Sequence, residues 1–130
     1  MRQVVAALIV RDDTVLICQR TKYQPMALKW EFPGGKIEPG EEARQALRRE
    51  LDEELGIRAK IGDQVARIKH TYRNGGAIEL HFFLVKDYEG ELENRIFKEI
   101  VWAKLPDLPS YDFLEADIKL VSDIAAGKII

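Results

Sequence analysis

The sequence has one cysteine, two histidines and no long hydrophobic run. A single cysteine excludes a disulfide within the chain and the paired cysteines of a zinc knuckle. Cys18 ends the apolar run 15–18 and is predicted to be an inert core residue. The first apolar run, 4–10, has the length of a strand, is too short to span a membrane, and lacks a signal-peptide cleavage pattern. We therefore expect a cytoplasmic protein that does not bind membranes.

A strong excess of one charge is also absent, because 20 Lys and Arg residues stand against 22 Asp and Glu residues. The chain has no broad positive field for a nucleic-acid backbone, so direct nucleic-acid binding is not expected. Local Lys and Arg residues remain compatible with a small phosphorylated ligand. A length of 130 residues without repeats or linkers predicts one domain, 1–130. The sequence leaves open whether the protein is a monomer or a homodimer.

Short apolar runs separated by turn residues predict strands over 4–10, 14–20, 59–73, 77–87 and 99–105. Apolar residues at helical spacing predict two helices, over 41–55 and about 115–126, which end at Gly56 and Gly127. Pro106 and Pro109 predict a loop between the last strand and the last helix. Strands interleaved with two helices favour an α/β fold with a mixed sheet covered on both faces.

Three glutamates of the first predicted helix point to a metal site. Glu50, Glu53 and Glu54 stand at i, i+3 and i+4, so their carboxylates project from one region of the helix surface. This acidic row lies beside an apolar stripe, where mutual repulsion and partial burial are both unfavourable. A divalent cation would offset both costs. A site of oxygen ligands without Cys or His suits Mg²⁺, with Mn²⁺ as a substitute.

The alternative for this helix is a solvated charged face. That reading accounts for Arg44, Arg48 and Asp52, which fall on the outer side of the helix. It does not account for the glutamates beside the apolar stripe, which consists of Ala43, Leu47, Leu51 and Leu55.

Residues 35–57 resemble the Nudix box: a glycine, five residues, Glu, seven residues, then Arg-Glu-apolar-x-Glu-Glu-x-Gly-apolar. All nine specified positions are met, by Gly35, Glu41, Arg49, Glu50, Leu51, Glu53, Glu54, Gly56 and Ile57. So many fixed positions make the pattern far more specific than a lone glycine motif. The resemblance implies an α/β/α sandwich with a central mixed β-sheet, and an enzyme that cleaves a diphosphate linkage with a metal ion.

The resemblance also implies roles for individual residues. Glu50, Glu53 and Glu54 would be the catalytic set and would hold the metal, helped by a backbone carbonyl of Gly34 or Gly35. Glu50 is in addition a candidate to activate or orient the attacking water. In relatives a Glu from a later loop or strand joins this cluster, and Glu99 is the candidate here. Arg49 and Glu41 are expected to stabilise the loop–helix–loop.

Features outside the box indicate the substrate. Residues 30–35 resemble the lead-in of MutT-like nucleoside triphosphate pyrophosphohydrolases, which implies that Glu31 and Phe32 line the nucleotide pocket. Residues 111–118 resemble the segment that carries a base-reading side chain, and the match falls on Asp117. Arg20, at the end of the second strand, is a candidate for contact with a phosphate or a base edge. The alternatives are core packing for Phe32 and support of the last helix for Asp117.

The sequence departs from the best-known MutT pattern, which has Asn at the position of Asp117 and an Arg near Gly76. Asn donates and accepts hydrogen bonds, which suits an oxidised guanine, whereas an ionised Asp only accepts, which suits the amino group of cytosine. A protonated Asp could still read 8-oxoguanine. The prediction is hydrolysis of a nucleoside triphosphate to the monophosphate and pyrophosphate, with 8-oxo-dGTP first, as in nucleotide-pool sanitation.

Three alternatives stay open. The first is hydrolysis of CTP or a modified dCTP, and the second is hydrolysis of another nucleoside diphosphate derivative. The third is a non-catalytic Nudix domain that only binds a nucleotide, although such a domain would be expected to lose the glutamates of the box.

Overall fold

The computed structural model describes residues 1–130 and contains nine strands and two α-helices. The strands are β1 (Arg2–Arg11), β2 (Thr14–Gln19), β3 (Trp30–Glu31), β4 (Gly34–Lys36), β5 (Arg58–Lys60), β6 (Gln64–Thr71), β7 (Ala77–Val85), β8 (Asp87–Glu89) and β9 (Glu99–Lys104). The helices are α1 (Ala43–Leu55) and α2 (Ile118–Ala125), with short 3-10 helices at Leu105–Ser110 and Glu115–Asp117. None of these helices is long and apolar enough to cross a membrane.

β1 is the central strand of the large sheet. It runs parallel to β7 along one edge, and its other edge pairs antiparallel with β4 near the start and with β2 at the end. β6 continues the sheet beyond β7, while β3 and β9 pair with β2. β5 and β8 form a separate two-stranded sheet. One parallel pair among antiparallel pairs makes the large sheet mixed, as predicted.

Helices cover both faces of this sheet because side chains of β1 alternate between two cores. Val5, Ala7 and Ile9 pack on the face that carries α1, in a cluster with Leu47 and Leu51. Ala6 and Leu8 point to the opposite face, where α2 and both 3-10 helices pack. The predicted α/β/α sandwich is therefore confirmed, and each face of β1 contributes to a different part of the site described below.

α1 begins at Ala43, two residues later than predicted. Glu42 is extended and acts as the N-cap, and its backbone N–H donates to the side chain of Gln45 at 3.4 Å. At the other end Gly56 adopts the left-handed conformation, with φ of 69°, and its N–H donates to the carbonyl of Asp52. The predicted C-terminus of the helix is confirmed.

Four other predicted elements differ from the structure. The strand predicted over 59–73 is two strands, because Gly62 between them turns to donate its N–H to the carbonyl of Leu84. The strand predicted over 77–87 ends at Val85, and the chain then pairs with β5 as β8. The prolines predicted to form a loop lie in a 3-10 helix, whose φ proline readily adopts. The last helix starts as a 3-10 turn before α2.

Candidate functional site

The Gly34–Gly35 dipeptide of β4 contacts groups on both faces of the sheet. Gly34 pairs with Ala6 and Gly35 with Val5 on β1. A Cβ on Gly34 would collide with the carbonyl oxygen of Val5, and a Cβ on Gly35 would lie 2.6 Å from Oε1 of Glu50. Only glycines allow β4 to lie against β1 while the Glu50 carboxylate packs on the β4 backbone.

Glu50 and Glu54, one turn apart on α1, bring two carboxyl groups to this dipeptide. Glu54 is only 8% exposed, and one of its carboxyl oxygens accepts a hydrogen bond from the backbone N–H of Gly34 at 3.3 Å. Burial raises the pKa of Glu54 well above its ordinary value, and the neighbouring Glu50 raises it further. The pair therefore needs a shared proton or a cation to remain in place at neutral pH.

Arg49 orders the loop before α1 and also engages two of the glutamates. It donates to both carboxylate oxygens of Glu41, at 2.8 and 2.9 Å, and to the carbonyl of Lys36 at 3.1 Å. Its Nη1 lies 2.9 Å from Glu50 and 3.5 Å from Glu53. The hydrogen bonds from Arg49 are the main cause of a lowered pKa for Glu41. This geometry agrees with the predicted structural role of Arg49 and Glu41.

The side chains of Glu50, Glu53 and Glu54 do not converge on one point in this structure. Glu53 is 59% exposed and turns toward Arg49, and no group of three or more Asp, Glu, His or Cys side chains is placed to hold a metal ion. The site therefore consists of the buried Glu54 and the partly buried Glu50, with Glu53 on the adjacent exposed surface of the same helix.

A cavity of about 260 Å³ opens on the other face of the sheet, against the same two glycines. All four residues predicted to bind substrate line this cavity: Arg20, Glu31, Phe32 and Asp117. Phe32 is nearly buried and packs edge-to-face on Phe82, with ring centroids 6.1 Å apart. The predicted core role and the predicted pocket role of Phe32 are thus compatible.

Asp117 is a buried acid facing this cavity. It is only 4% exposed, and although it precedes α2 its side chain makes no capping hydrogen bond to that helix. Burial raises the pKa of Asp117 to about 8, and the negative charge of Glu31 contributes. The carboxyl is therefore mostly protonated at neutral pH, and it can both donate and accept a hydrogen bond.

Glu31 and Arg20 form an ion pair at the wall of the cavity. Nη1 of Arg20 lies 3.2 and 3.1 Å from the two carboxylate oxygens of Glu31, and both side chains are largely buried. Burial raises the pKa of Glu31, while the charge of Arg20 lowers it. Arg20 reaches the cavity, as predicted, but its Nη1 is already engaged by a carboxylate.

Glu99, the predicted further ligand, is the first residue of β9. It is exposed on β9 opposite Gln19. Because side chains alternate along a strand, Glu99 shares the face of Val101 and Ala103, which pack in the cluster on the α2 side. The backbone N–H of Arg95, four residues earlier, donates to the carbonyl of Glu54, and the role of Glu99 as a further metal ligand stays a prediction.

Residues that were not predicted also line the cavity, among them Arg2, Met26, Tyr72 and Leu114. Arg2 has a signal in the sequence, because it shares the strand alternation of Val4 and Ala6, which also line the cavity. Met26 and Leu114 lie outside the regular elements, where no periodicity predicts which way a side chain points.

Comparisons with known proteins give matches over nearly the whole chain. The family model described as the NUDIX domain matches residues 1–124. A CTP pyrophosphohydrolase of Escherichia coli strain K12 is 42% identical over 126 residues, covering 97% of this chain and 93% of that protein. An 8-oxo-dGTP diphosphatase of Haemophilus influenzae is 37% identical over 119 residues, covering 90% and 87%. The crystal structure of a MutT NUDIX hydrolase from Burkholderia pseudomallei has a TM-score of 0.83 at 30% identity, covering 93% and 95%.

Proposed function

The chain belongs to the NUDIX family and is a hydrolase of nucleoside triphosphates, and on that premise we propose that it releases the monophosphate and pyrophosphate with the help of a divalent metal ion. One observation carries the proposal. The Gly34–Gly35 dipeptide lies against the carboxylates of α1 and also lines the cavity that contains Asp117. A nucleotide with its base in the cavity would therefore have its phosphates close to α1.

The residues at α1 fit a hard divalent cation. Their donors are all oxygens, and the Glu50–Glu54 pair needs positive charge or a proton between its members. We propose Glu50, Glu53, Glu54 and a carbonyl of Gly34 or Gly35 as the ligands of Mg²⁺, with Mn²⁺ as a substitute. When bound, the ion would neutralise charge on the phosphate oxygens. Glu99, at the start of β9, stays a candidate for a further ligand.

The protein side chains have separate tasks in this scheme. Glu50 is the proposed residue that orients or activates the attacking water, since it lies on α1 against Gly35. Arg49 keeps Glu50 and the loop before α1 in position through its bonds to Glu41 and to the carbonyl of Lys36. In the cavity, Phe32 provides apolar contact for the base, and Glu31 and Asp117 provide polar contacts.

The protonation state of Asp117 affects which base the cavity can bind. A neutral carboxyl offers one donor and one acceptor side by side. That pattern matches the edge of 8-oxoguanine, where a ring N–H lies beside a carbonyl oxygen, and 8-oxo-dGTP is our first candidate. The same pattern also matches cytosine, where a ring nitrogen lies beside an amino group. CTP or a modified dCTP is therefore the second candidate, and the name of the Escherichia coli relative favours it.

Two further alternatives have less support. Hydrolysis of another nucleoside diphosphate derivative is not favoured by the names of the relatives described above. A role limited to nucleotide binding is disfavoured, because every fixed position of the box is present. We propose further that residues 1–130 act as one domain in the cytoplasm on free nucleotides, as a monomer or homodimer, without binding nucleic acid or membranes.

The products of the reaction test this function. The protein is incubated with Mg²⁺ and 8-oxo-dGTP or CTP, and the products are identified by ³¹P NMR. We expect the nucleoside monophosphate and pyrophosphate, and no turnover after the metal is removed with EDTA. Release of the diphosphate and inorganic phosphate would show that a different bond is cleaved. Undiminished turnover in EDTA would exclude the proposed metal.

A further inference from the structure

Arg20 makes contacts on two sides. Its Nε donates to the backbone carbonyl of Pro25 at 2.9 Å, and its Nη1 donates to the carboxylate of Glu31 at 3.1 and 3.2 Å. Its side chain is only 17% exposed, and the bonds to Glu31 are partly buried while the bond to Pro25 lies nearer the surface. One planar group thus joins a carboxylate in the cavity to the backbone of the loop 21–29, which follows Arg20 in the chain.

The loop 21–29 forms part of the cavity wall through Met26. Its backbone is strained at two positions, since Met26 and Leu28 have φ angles of 55° and 64°. Such left-handed conformations are unfavourable for bulky side chains and persist only where surrounding contacts impose them. The conformation of the loop therefore depends on the hydrogen bonds made to its backbone.

Hydrogen bonds inside the loop run from the N–H of Lys29 to the carbonyl of Met26 and between Thr21 and Gln24, and others tie the loop to the rest of the chain. The end of the loop is closed by the bond from the backbone N–H of Arg20 to the carbonyl of Lys29, at 2.9 Å. The side chain of Gln19 donates to the carbonyl of Leu28 at 3.1 Å. At Pro25, next to Met26, the bond comes from Nε of Arg20, and Arg20 is the side chain that connects this part of the loop to the cavity.

From these contacts we propose that Arg20 is a positioning residue, whose guanidinium links the Glu31 carboxylate to the carbonyl of Pro25 and so holds Met26 as a wall of the base pocket. The inference rests on the proposed function, because the pocket is taken to hold the base of a nucleotide. If Arg20 moved away to bind a phosphate, the Glu31 carboxylate would lose its partner while buried, which is strongly unfavourable.

Lysine is not equivalent at this position. A lysine ammonium can approach Glu31, but it cannot present the fixed fork of donors that reaches a carboxylate and a separate carbonyl together. Arg20→Lys should therefore keep the positive charge next to Glu31 and weaken the hydrogen bond to the carbonyl of Pro25. Arg20→Ala should lose both. This gives a graded pair of variants that separates the charge of Arg20 from its bridging geometry.

Two readouts are measured on the full chain: amide hydrogen exchange in residues 22–28 without nucleotide, and kcat and KM for the best triphosphate. In Arg20→Ala we expect exchange about 10-fold faster, because local opening needs less free energy. We expect KM to rise about 30-fold while kcat changes by less than about 3-fold, since uniform binding is lost and the α1 carboxylates are untouched. Arg20→Lys should fall between Arg20→Ala and the wild type in both readouts.

Glu31→Gln distinguishes a positioning role of Arg20 from a direct contact between Arg20 and the substrate. If the carboxylate anchors Arg20, its loss should also speed exchange in residues 22–28, although Glu31 lies outside that loop. Arg58→Ala is the matched control, since Arg58 is exposed and pairs with Glu89. Its exchange in the loop, its KM and its kcat should equal those of the wild type.

Three results would overturn the inference. Wild-type exchange in the loop of Arg20→Ala, together with a raised KM, would mean that Arg20 contacts the substrate itself. Unchanged KM in Arg20→Ala would mean that the bridge has no effect on the pocket. Unchanged exchange in Glu31→Gln would break the link between the carboxylate and the loop. If the wild type cleaves no triphosphate, the proposed function fails, and the exchange measurements still decide whether Arg20 links Glu31 to the loop.

Discussion

Glu54 and Asp117 are the two buried acidic side chains of this fold, and their surroundings differ. Glu54 has a second carboxyl beside it and a backbone N–H from Gly34. Asp117 faces a cavity and makes no capping bond to α2. A buried acid with a neighbouring acid suits a cation, and a buried acid facing a cavity suits a hydrogen-bonding ligand.

Replacing Glu53 with Gln tests the metal assignment at a single residue. Glu53 is exposed, so the substitution should leave the fold intact while removing one proposed ligand. We expect kcat to fall at least ~100-fold with little change in nucleotide binding, because the lost interaction acts mainly on the reaction. Asp52→Asn, at the preceding exposed position, is the control and should turn over normally. Normal turnover in Glu53→Gln would refute the assignment.

Asp117 should make the stability of the protein depend on pH. Its pKa is about 8 in the folded protein, against 3.8 for an ordinary aspartate. Between these values the folded state holds a proton that the unfolded state has released, so the free energy of unfolding falls as pH rises and levels off above about pH 8. Asp117→Asn removes this titration.

The measurement for Asp117 is urea unfolding of both proteins between about pH 5 and about pH 9. The free energy of unfolding of the wild type should decrease relative to that of Asp117→Asn as pH rises toward about 8. A constant difference across this range would show that Asp117 is already ionised in the folded protein. The cavity would then present an acceptor only, which favours the amino group of cytosine.

At the scale of elements, the contact between β4 and α1 places the carboxylates. Gly35→Ala would put a methyl group against the carboxylate of Glu50. We expect kcat to fall about 100-fold, because a displacement of about 1 Å at a reacting group can have that effect. Gly76→Ala, on the exposed turn before β7, is the control and should keep its activity. Full activity of Gly35→Ala would show that Glu50 need not lie against β4.

The elements also show what the sequence could and could not predict. α1 was predictable because its apolar residues repeat every four positions and Gly56 marks its end. The division of 59–73 into β5 and β6 was not, because the pairing of β5 with β8 depends on a strand distant in sequence. Glu31 and Asp117 could be placed at the pocket only by resemblance, since no local pattern brings them together.

At the scale of the whole molecule, the sheet separates two functions. The α1 face carries the carboxylates, the α2 face carries the cavity, and the two meet where β4 lies against β1. This arrangement could not be derived from periodicity alone, because periodicity shows which residues are buried and not which of the two cores they join.

Metal binding should stabilise the whole molecule, independently of activity. A cation that binds only the folded state raises the free energy of unfolding, so Mg²⁺ at about 100 times its Kd should raise Tm by roughly 10 °C. Glu54→Gln should largely lose this rise. Glu38→Gln, which alters an exposed glutamate in the loop before α1, should keep it. An equal rise in Glu54→Gln would place the metal elsewhere.

The account is tested most directly by kcat/KM, measured with Mg²⁺ for 8-oxo-dGTP, dGTP, CTP and 5-methyl-dCTP. We predict hydrolysis of at least one of these triphosphates, with 8-oxo-dGTP preferred over dGTP. A neutral Asp117 can accept from the N7–H of the oxidised base and donate to its O6, whereas N7 and O6 of guanine both accept. A preference for the two cytosine nucleotides would keep the reaction and change the substrate. Absence of cleavage of all four would contradict the central claim that this site hydrolyses nucleoside triphosphates.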